Sequence, residues 1–384
     1  METKIRKINT GKKIFVTRPA VPPLDKYMTY LEDIWKSRWL TNNSKYHQLF
    51  EKALCEYLGI KYCSLVVNGT QALLLALKVL SISGEVITTP FSFVATTHSL
   101  GWSGLIPVFC DIEEETLNID ADRIESMITP KTTAILPVHV FGTPCNIEKI
   151  EKIAKSHRLK VIYDAACAFG VTMNGTSILD KGDLSILSFH ATKVFNSVEG
   201  GAVITGDENM KKHVDSLKNF GIADEITVTA TGINGKMNEL QAAFGLLQLE
   251  GIEEEIYKRK KIAELYHEKL SGSKGIRCLR YPSGIKPNYS YFPVMIDQEK
   301  FGQSRDEIYH ALRSFQIYAR RYYYPLISHC PAYRDLPSST PENLPVAEKA
   351  AREILCLPIY GELSDHEVER ICDIILNRAM NDVD

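Results

Sequence analysis

The sequence predicts an α/β protein: a large, mainly parallel sheet with helices on both faces, followed by a smaller α+β domain. Three observations carry that expectation. Short apolar runs alternate with helical patterns over the first two-thirds of the 384 residues, the order that gives parallel sheets. Several of these runs are continuously apolar, as strands buried on both faces must be. Past residues 271–275 the texture changes to the sparser strands and helices of a second unit.

Seven strands are expected, over 62–67, 85–88, 105–109, 133–138, 159–163, 184–189 and 202–205. Helices are expected between them over 71–80, 95–102, 146–157 and 208–220. The near-helical spacing of Leu240, Ala243, Leu247 and Ile252 predicts a long helix from 236 to about 270. Glu254 with Lys258, and Glu255 with Arg259, form i,i+4 pairs on its wetter part. The basic run 258–261 reads as a solvated face. Beyond it come a strand over 289–296 and helices over 305–315 and 364–378. A chain of this length exceeds one ordinary domain. The expected division is 1–250, a large α/β domain with an N-terminal arm, and 251–384, a small C-terminal α+β domain.

Hydrophobic residues make up 45% and charged residues 24%, an ordinary globular balance, and the net charge of −2 gives no reason to expect nucleic acid. The nine cysteines are scattered, with no CxxC and no zinc-ligand spacing, and read as buried thiols in a reducing compartment. No metal is expected. The charged N-terminus lacks an apolar signal core and no apolar stretch is long enough to span a bilayer, so the expected location is the cytoplasm.

Four strand-end segments carry chemistry. Ser188-Phe189-His190-Ala191-Thr192-Lys193, followed by Glu199-Gly200-Gly201, places one lysine in a short polar turn after a strand. In a dry cleft such a lysine has a lowered pKa and attacks a carbonyl. Alone, with 45 lysines and arginines in the chain, a surface loop explains it better. Lys160–Asp164 is an apolar strand ending in a carboxylate; Asp164 suits a pyridine nitrogen, or simply caps the next turn. Asn68-Gly69-Thr70-Gln71 lies between a strand and a helix, where N–H groups hold phosphate or where a plain helix cap stands. Thr89–Thr96 brings Phe93 to another strand end, as a stacking ring or as core. What favours the chemical readings is convergence: turns from different strands meet on one rim of an open α/β sheet.

Taken in order, these segments resemble the DegT/DnrJ/StrS family of sugar-nucleotide aminotransferases, over almost the whole chain. The match runs from Trp39-Leu40-Thr41 through Asn68–Leu73, Phe91–Thr96, Pro137–Gly142, Asp164–Gly170 and Ser188–Gly201. It ends with Gly232–Met237, Arg320–Leu326 and Leu357-Pro358. The resemblance implies the fold-type I architecture with pyridoxal 5'-phosphate as cofactor. It implies Lys193 as the Schiff-base lysine and proton shuttle, Asp164 at the pyridine nitrogen, and Phe93 against the ring. Gly69, Thr70 and Ser188 would hold the phosphate. It further implies a homodimer with shared sites, in which Asn234 reaches the phosphate of the other subunit. His139, Lys236, Arg320 and Tyr322 are further substrate-site candidates.

Two positions depart from the family pattern. Cys167 stands where Gln or His usually faces the cofactor's phenolic oxygen, so that contact is expected to be weakened or taken by water. Asn43-Ser44 stands where a glycine is frequent. Trp39-Leu40-Thr41 resembles members that aminate C-4 of the hexose, whereas C-3 enzymes more often read Tyr-Ile-Leu-Gly there. The implied reaction takes dTDP-4-keto-6-deoxyglucose and L-glutamate to dTDP-4-amino-4,6-dideoxyglucose, for O-antigen. C-3 amination is the alternative. A dehydratase of the same fold would have His at position 193, and a cofactor-binding regulator would need a DNA-binding module.

Overall fold

The computed structural model describes residues 13–377. Strands Tyr62–Val66 (β1), Glu85–Thr88 (β2), Ile106–Phe109 (β3), Thr132–Leu136 (β4), Lys160–Asp164 (β5), Leu184–Ser188 (β6) and Gly201–Thr205 (β7) form one seven-stranded sheet. Its order is β1-β7-β6-β5-β4-β2-β3. Only β7 runs antiparallel to its neighbours; the remaining pairings are parallel. The strands are apolar and buried almost throughout, as a sheet covered on both faces requires.

Register sets the site. Ser188 pairs with Gly201, and Gly201 with Val66, while Asp164 pairs with Ile186. The ends of β1, β5 and β6 therefore lie along one carboxyl edge, where open α/β sheets bind ligands.

The helices that border this sheet are Leu24–Ser37 (α1), Lys45–Leu58 (α2), Gly69–Val79 (α3), Ala95–Trp102 (α4), Ile147–His157 (α5), Glu208–Leu217 (α6) and Glu239–Glu250 (α7). The sequence pattern did not place α1 or α2. For α2 the signal is present: Tyr46, Phe50, Leu54 and Leu58 recur every four residues and are buried.

The long helix expected over 236–270 is two helices. After α7 the chain breaks at Gly251 (φ −104°, ψ 2°) and restarts as Ile252–Leu270 (α8). Apolar periodicity continues across the break, so glycine was its only signal. The second core joins α8 to Arg305–Ser314 (α9) and Asp365–Ile375 (α11) around the antiparallel strands Ile276–Cys278 (β8), Phe292–Ile296 (β9) and Ile354–Leu357 (β10). Helix Pro345–Glu353 (α10) and β10 were not expected from sequence. The strand Ile14–Phe15 pairs with Ile317–Tyr318, which holds this part of the arm against the second unit. It then crosses to the first, where the Ala20 carbonyl accepts from Asn196 Nδ2 (3.0 Å) and Gln248 Nε2 (2.8 Å).

One expected surface pair is buried instead. Arg259 is 1% exposed; its Nε donates to Glu255 Oε1 at 2.6 Å and its guanidinium to the Ile359 carbonyl at 3.2 Å. Lys258–Glu254, by contrast, is exposed as expected. Glu255→Ala strands a guanidinium in the core and is expected to lower stability by about 3–5 kcal/mol, whereas Glu254→Ala changes it by at most about 1 kcal/mol. Urea unfolding followed by circular dichroism measures both.

Candidate active site

The carboxyl edge opens into a cavity of about 470 Å³, a size ordinary for a small-molecule site. Its walls include Gly69, Thr70, Phe93, Asp164, Ser188, Lys193, Arg320 and Tyr322. The fold thus brings eight of the eleven candidate residues to one cleft.

Helix α3 begins at this wall. The Asn68 side chain accepts from Gln71 N at 2.9 Å and caps the helix. The N–H groups of Gly69 and Thr70 make no hydrogen bond among the described residues, which leaves them free for an anion. Close packing explains the glycines here. A Cβ on Gly69 would lie 2.8 Å from Ser188 Cβ, and one on Gly201 would lie 2.7 Å from the Asn68 carbonyl carbon. A side chain at Gly69 would push the helix start away from β6, and one at Gly201 would push it away from β7.

Asp164 ends β5 and is 4% exposed. Thr96 Oγ1 donates to its Oδ2 at 2.7 Å and Ala166 N to its Oδ1 at 3.1 Å. Ser92 Oγ lies 2.8 Å from Thr96 Oγ1 and fixes that hydroxyl in turn. Burial pushes the Asp164 carboxyl above the usual aspartate value; the Thr96 and Ala166 bonds and the Lys193 charge pull the other way. A buried carboxylate so placed calls for a cationic partner.

Lys193 points into the same cavity from the loop after β6, half-buried, with Nζ 3.1 Å from Cys167 Sγ. The lowered lysine pKa expected from sequence does not hold. Burial does pull the ammonium down, but Cys167, Tyr291 and Asp164 outweigh it and hold the amine above the ordinary lysine range. Phe93 is 61% exposed at the mouth of the cleft, the place of a stacking ring and not of a core residue. Arg320 also lines the cleft and has no ion pair among the described residues, whereas its neighbour Arg321 binds Asp306 at 2.9 Å.

Three candidates stand elsewhere. His139 is fully buried behind the edge, stacked on Tyr163 at 4.8 Å with Nδ1 accepting from Cys145 N. Burial lowers its pKa to about 3, so it is a neutral packing ring. Lys236 Nζ donates to Asn219 Oδ1 at 2.8 Å and sits over the Phe220 ring, outside the cleft. Asn234 is exposed on the same 219–236 segment. Sequence reasoning also missed lining residues. Thr96 lay inside a segment already singled out, but nothing in sequence tied its hydroxyl to Asp164. Tyr323 lay in the Arg320–Leu326 segment already singled out, whereas Tyr291 arrives from the second unit and carried no local signal.

Comparison with known proteins agrees with this architecture. Residues 25–376 match the DegT/DnrJ/EryC1/StrS aminotransferase family. The chain is 51% identical to a dTDP-4-amino-4,6-dideoxy-D-glucose transaminase of Escherichia coli, over 96% of this chain and 99% of that protein. It is 49% identical to the transaminase of that name from Shigella dysenteriae, over 95% and 98%. Among solved structures, DesI in the presence of its TDP-sugar product superposes with a TM-score of 0.91 at 32% identity, covering 95% of this chain and 92% of that one. Helicobacter pylori PseC, an aminotransferase involved in the biosynthesis of pseudoaminic acid, gives 0.88 at 29% identity, over 95% and 99%. This chain therefore belongs to the DegT/DnrJ/EryC1/StrS family and is a pyridoxal-phosphate-dependent aminotransferase.

Proposed function

We propose that the protein transfers the amino group of L-glutamate to C-4 of dTDP-4-keto-6-deoxy-D-glucose, giving dTDP-4-amino-4,6-dideoxy-D-glucose for O-antigen and lipopolysaccharide synthesis. The observation that carries this reading is identity near one half over essentially full length to two enzymes named for that product.

The residues present fit the cofactor. The glycine-walled start of α3 suits a phosphate, a buried carboxylate suits a protonated ring nitrogen, and the Lys193 amine lies in the same cavity. When bound, pyridoxal phosphate supplies an electron-accepting ring that stabilises negative charge on the carbon losing its proton. In this reading the N–H groups of Gly69 and Thr70 with the Ser188 hydroxyl bind the phosphate. Asp164, its oxygens fixed by Thr96 and Ala166, keeps the ring nitrogen protonated. Phe93 covers one ring face. Lys193 carries the cofactor and moves the proton in both half-reactions. Arg320 and Tyr322 bind substrate.

Asn234 and Lys236 lie outside their own cleft, and we assign them to the site of a second copy. Support comes from the exposed apolar side chains of Trp35, Trp39, Ile226 and Val228, which a subunit interface would cover. We divide the chain into domains 1–250 and 251–384 on the break at Gly251. We also place it in the cytoplasm; among the described residues no helix is long and apolar enough to cross a membrane.

Incubation with pyridoxal phosphate, L-glutamate and dTDP-4-keto-6-deoxyglucose tests the assignment, with the product located by NMR. Nitrogen at C-4 with release of 2-oxoglutarate is the expected result. Turnover only with the 3-keto isomer would overturn it.

A further inference from the structure

One contact in the cleft is not used by the reaction as proposed. Lys193 Nζ lies 3.1 Å from Cys167 Sγ, within hydrogen-bonding range of sulfur. Both ends of this contact are anchored. The Cys167 carbonyl accepts from Asn288 Nδ2 at 2.9 Å and from Ser290 Oγ at 2.7 Å, and both partners are buried. The Lys193 N–H donates to the His190 carbonyl at 2.9 Å, and Val194 and Phe195 are buried immediately after it. Cys167 is 8% exposed, so water competes little for the amine at this point.

On the reading of Lys193 given above, we propose that Cys167 is its positioning residue: the sulfur receives the ε-amine whenever the lysine is not covalently engaged, and keeps Nζ aimed into the cleft between proton transfers. The chemistry suits a thiol. A lysine that must leave and return needs a partner that directs its flexible four-carbon stem without trapping it. A carboxylate would form a charge-assisted bond about twice as strong as a neutral one. Sulfur is a weak acceptor and releases the amine readily.

The titratable groups facing Lys193 are Cys167 from the turn after β5, Asp164 from β5, and Tyr291 and Tyr322 from the second unit. His190, Glu199 and Arg320 line the same cleft. Burial lowers the ammonium, and Cys167, Tyr291 and Asp164 raise it. Removing the sulfur takes away an acceptor 3.1 Å from Nζ that favours the ammonium, so the pKa falls and more free amine is present at neutral pH. The sign is opposite to that of simple damage.

The test follows capture of added pyridoxal phosphate by apoenzyme, read as growth of the visible absorbance band, from neutral to alkaline pH. In Cys167→Ala, and in Cys167→Val should alanine fold poorly, the midpoint of the rate profile is expected to move to lower pH. Capture at neutral pH then quickens, by up to about tenfold for each pH unit that the midpoint moves, while turnover slows. Cys167→Ser, with a hydroxyl acceptor, is expected to return the midpoint toward wild type. A merely structural role would slow capture at every pH without moving the midpoint; that result, or profiles that superimpose, overturns the proposal. If wild-type apoenzyme forms no band at all, the assignment of Lys193 fails instead.

Discussion

Lys193→Ala is expected to lower transamination by about 10⁴-fold, the upper end of what one acid–base side chain contributes. The expectation rests on position. Lys193 is the lysine lining the cleft that also holds Asp164 and the start of α3. Without it there is no amine to bind the cofactor covalently and none to move the proton. The visible band of the lysine-bound cofactor should vanish, while pyridoxal phosphate still binds through Gly69, Thr70 and Ser188. Steady-state turnover and an absorbance spectrum measure both consequences. A variant with the wild-type spectrum and full turnover would refute the role.

Asp164→Asn is expected to act through charge, since the side chains are nearly the same shape. On its proposed pairing with the ring nitrogen, removing one partner of a buried ion pair costs about 3–5 kcal/mol, which at about 1.36 kcal/mol per decade is roughly 10²- to 10⁴-fold in rate. Stability should move the other way. Burial raises the Asp164 carboxyl above its ordinary value. In the apoprotein its contribution to stability is therefore full below the usual aspartate range, and is lost as pH rises through the raised value. At neutral pH the carboxylate is a net penalty, which asparagine removes. Differential scanning calorimetry of the apoprotein should show a Tm equal to or above wild type, beside a large loss of turnover. A lower Tm with intact activity would contradict this account of Asp164.

Much of this was legible in the sequence, for a physical reason. The sheet was readable because strands buried on both faces must be apolar throughout, and all seven strands fall within a residue or two of their expected places. The cleft was readable because parallel strands deliver their end residues to one edge; Gly69, Asp164, Ser188 and Lys193 each follow or end a strand. What was not readable depends on distant packing. Periodicity ran smoothly across Gly251 and hid the break between α7 and α8. The Glu255–Arg259 spacing is that of a surface pair, yet contact with the Ile359 carbonyl buries it. His139 stands beside the site in sequence but turns behind the sheet onto Tyr163. Cys167 looked like a missing cofactor contact, and only the fold reveals its contact with Lys193.

The central claim is that residue 193 forms the covalent link to the cofactor. Borohydride reduction of the wild-type holoenzyme, followed by proteolysis and mass spectrometry of the peptides, tests it most directly. The reduced cofactor should be found on the peptide carrying Lys193 and on that side chain. Label on any other lysine, or none after complete reduction of a coloured enzyme, would contradict it.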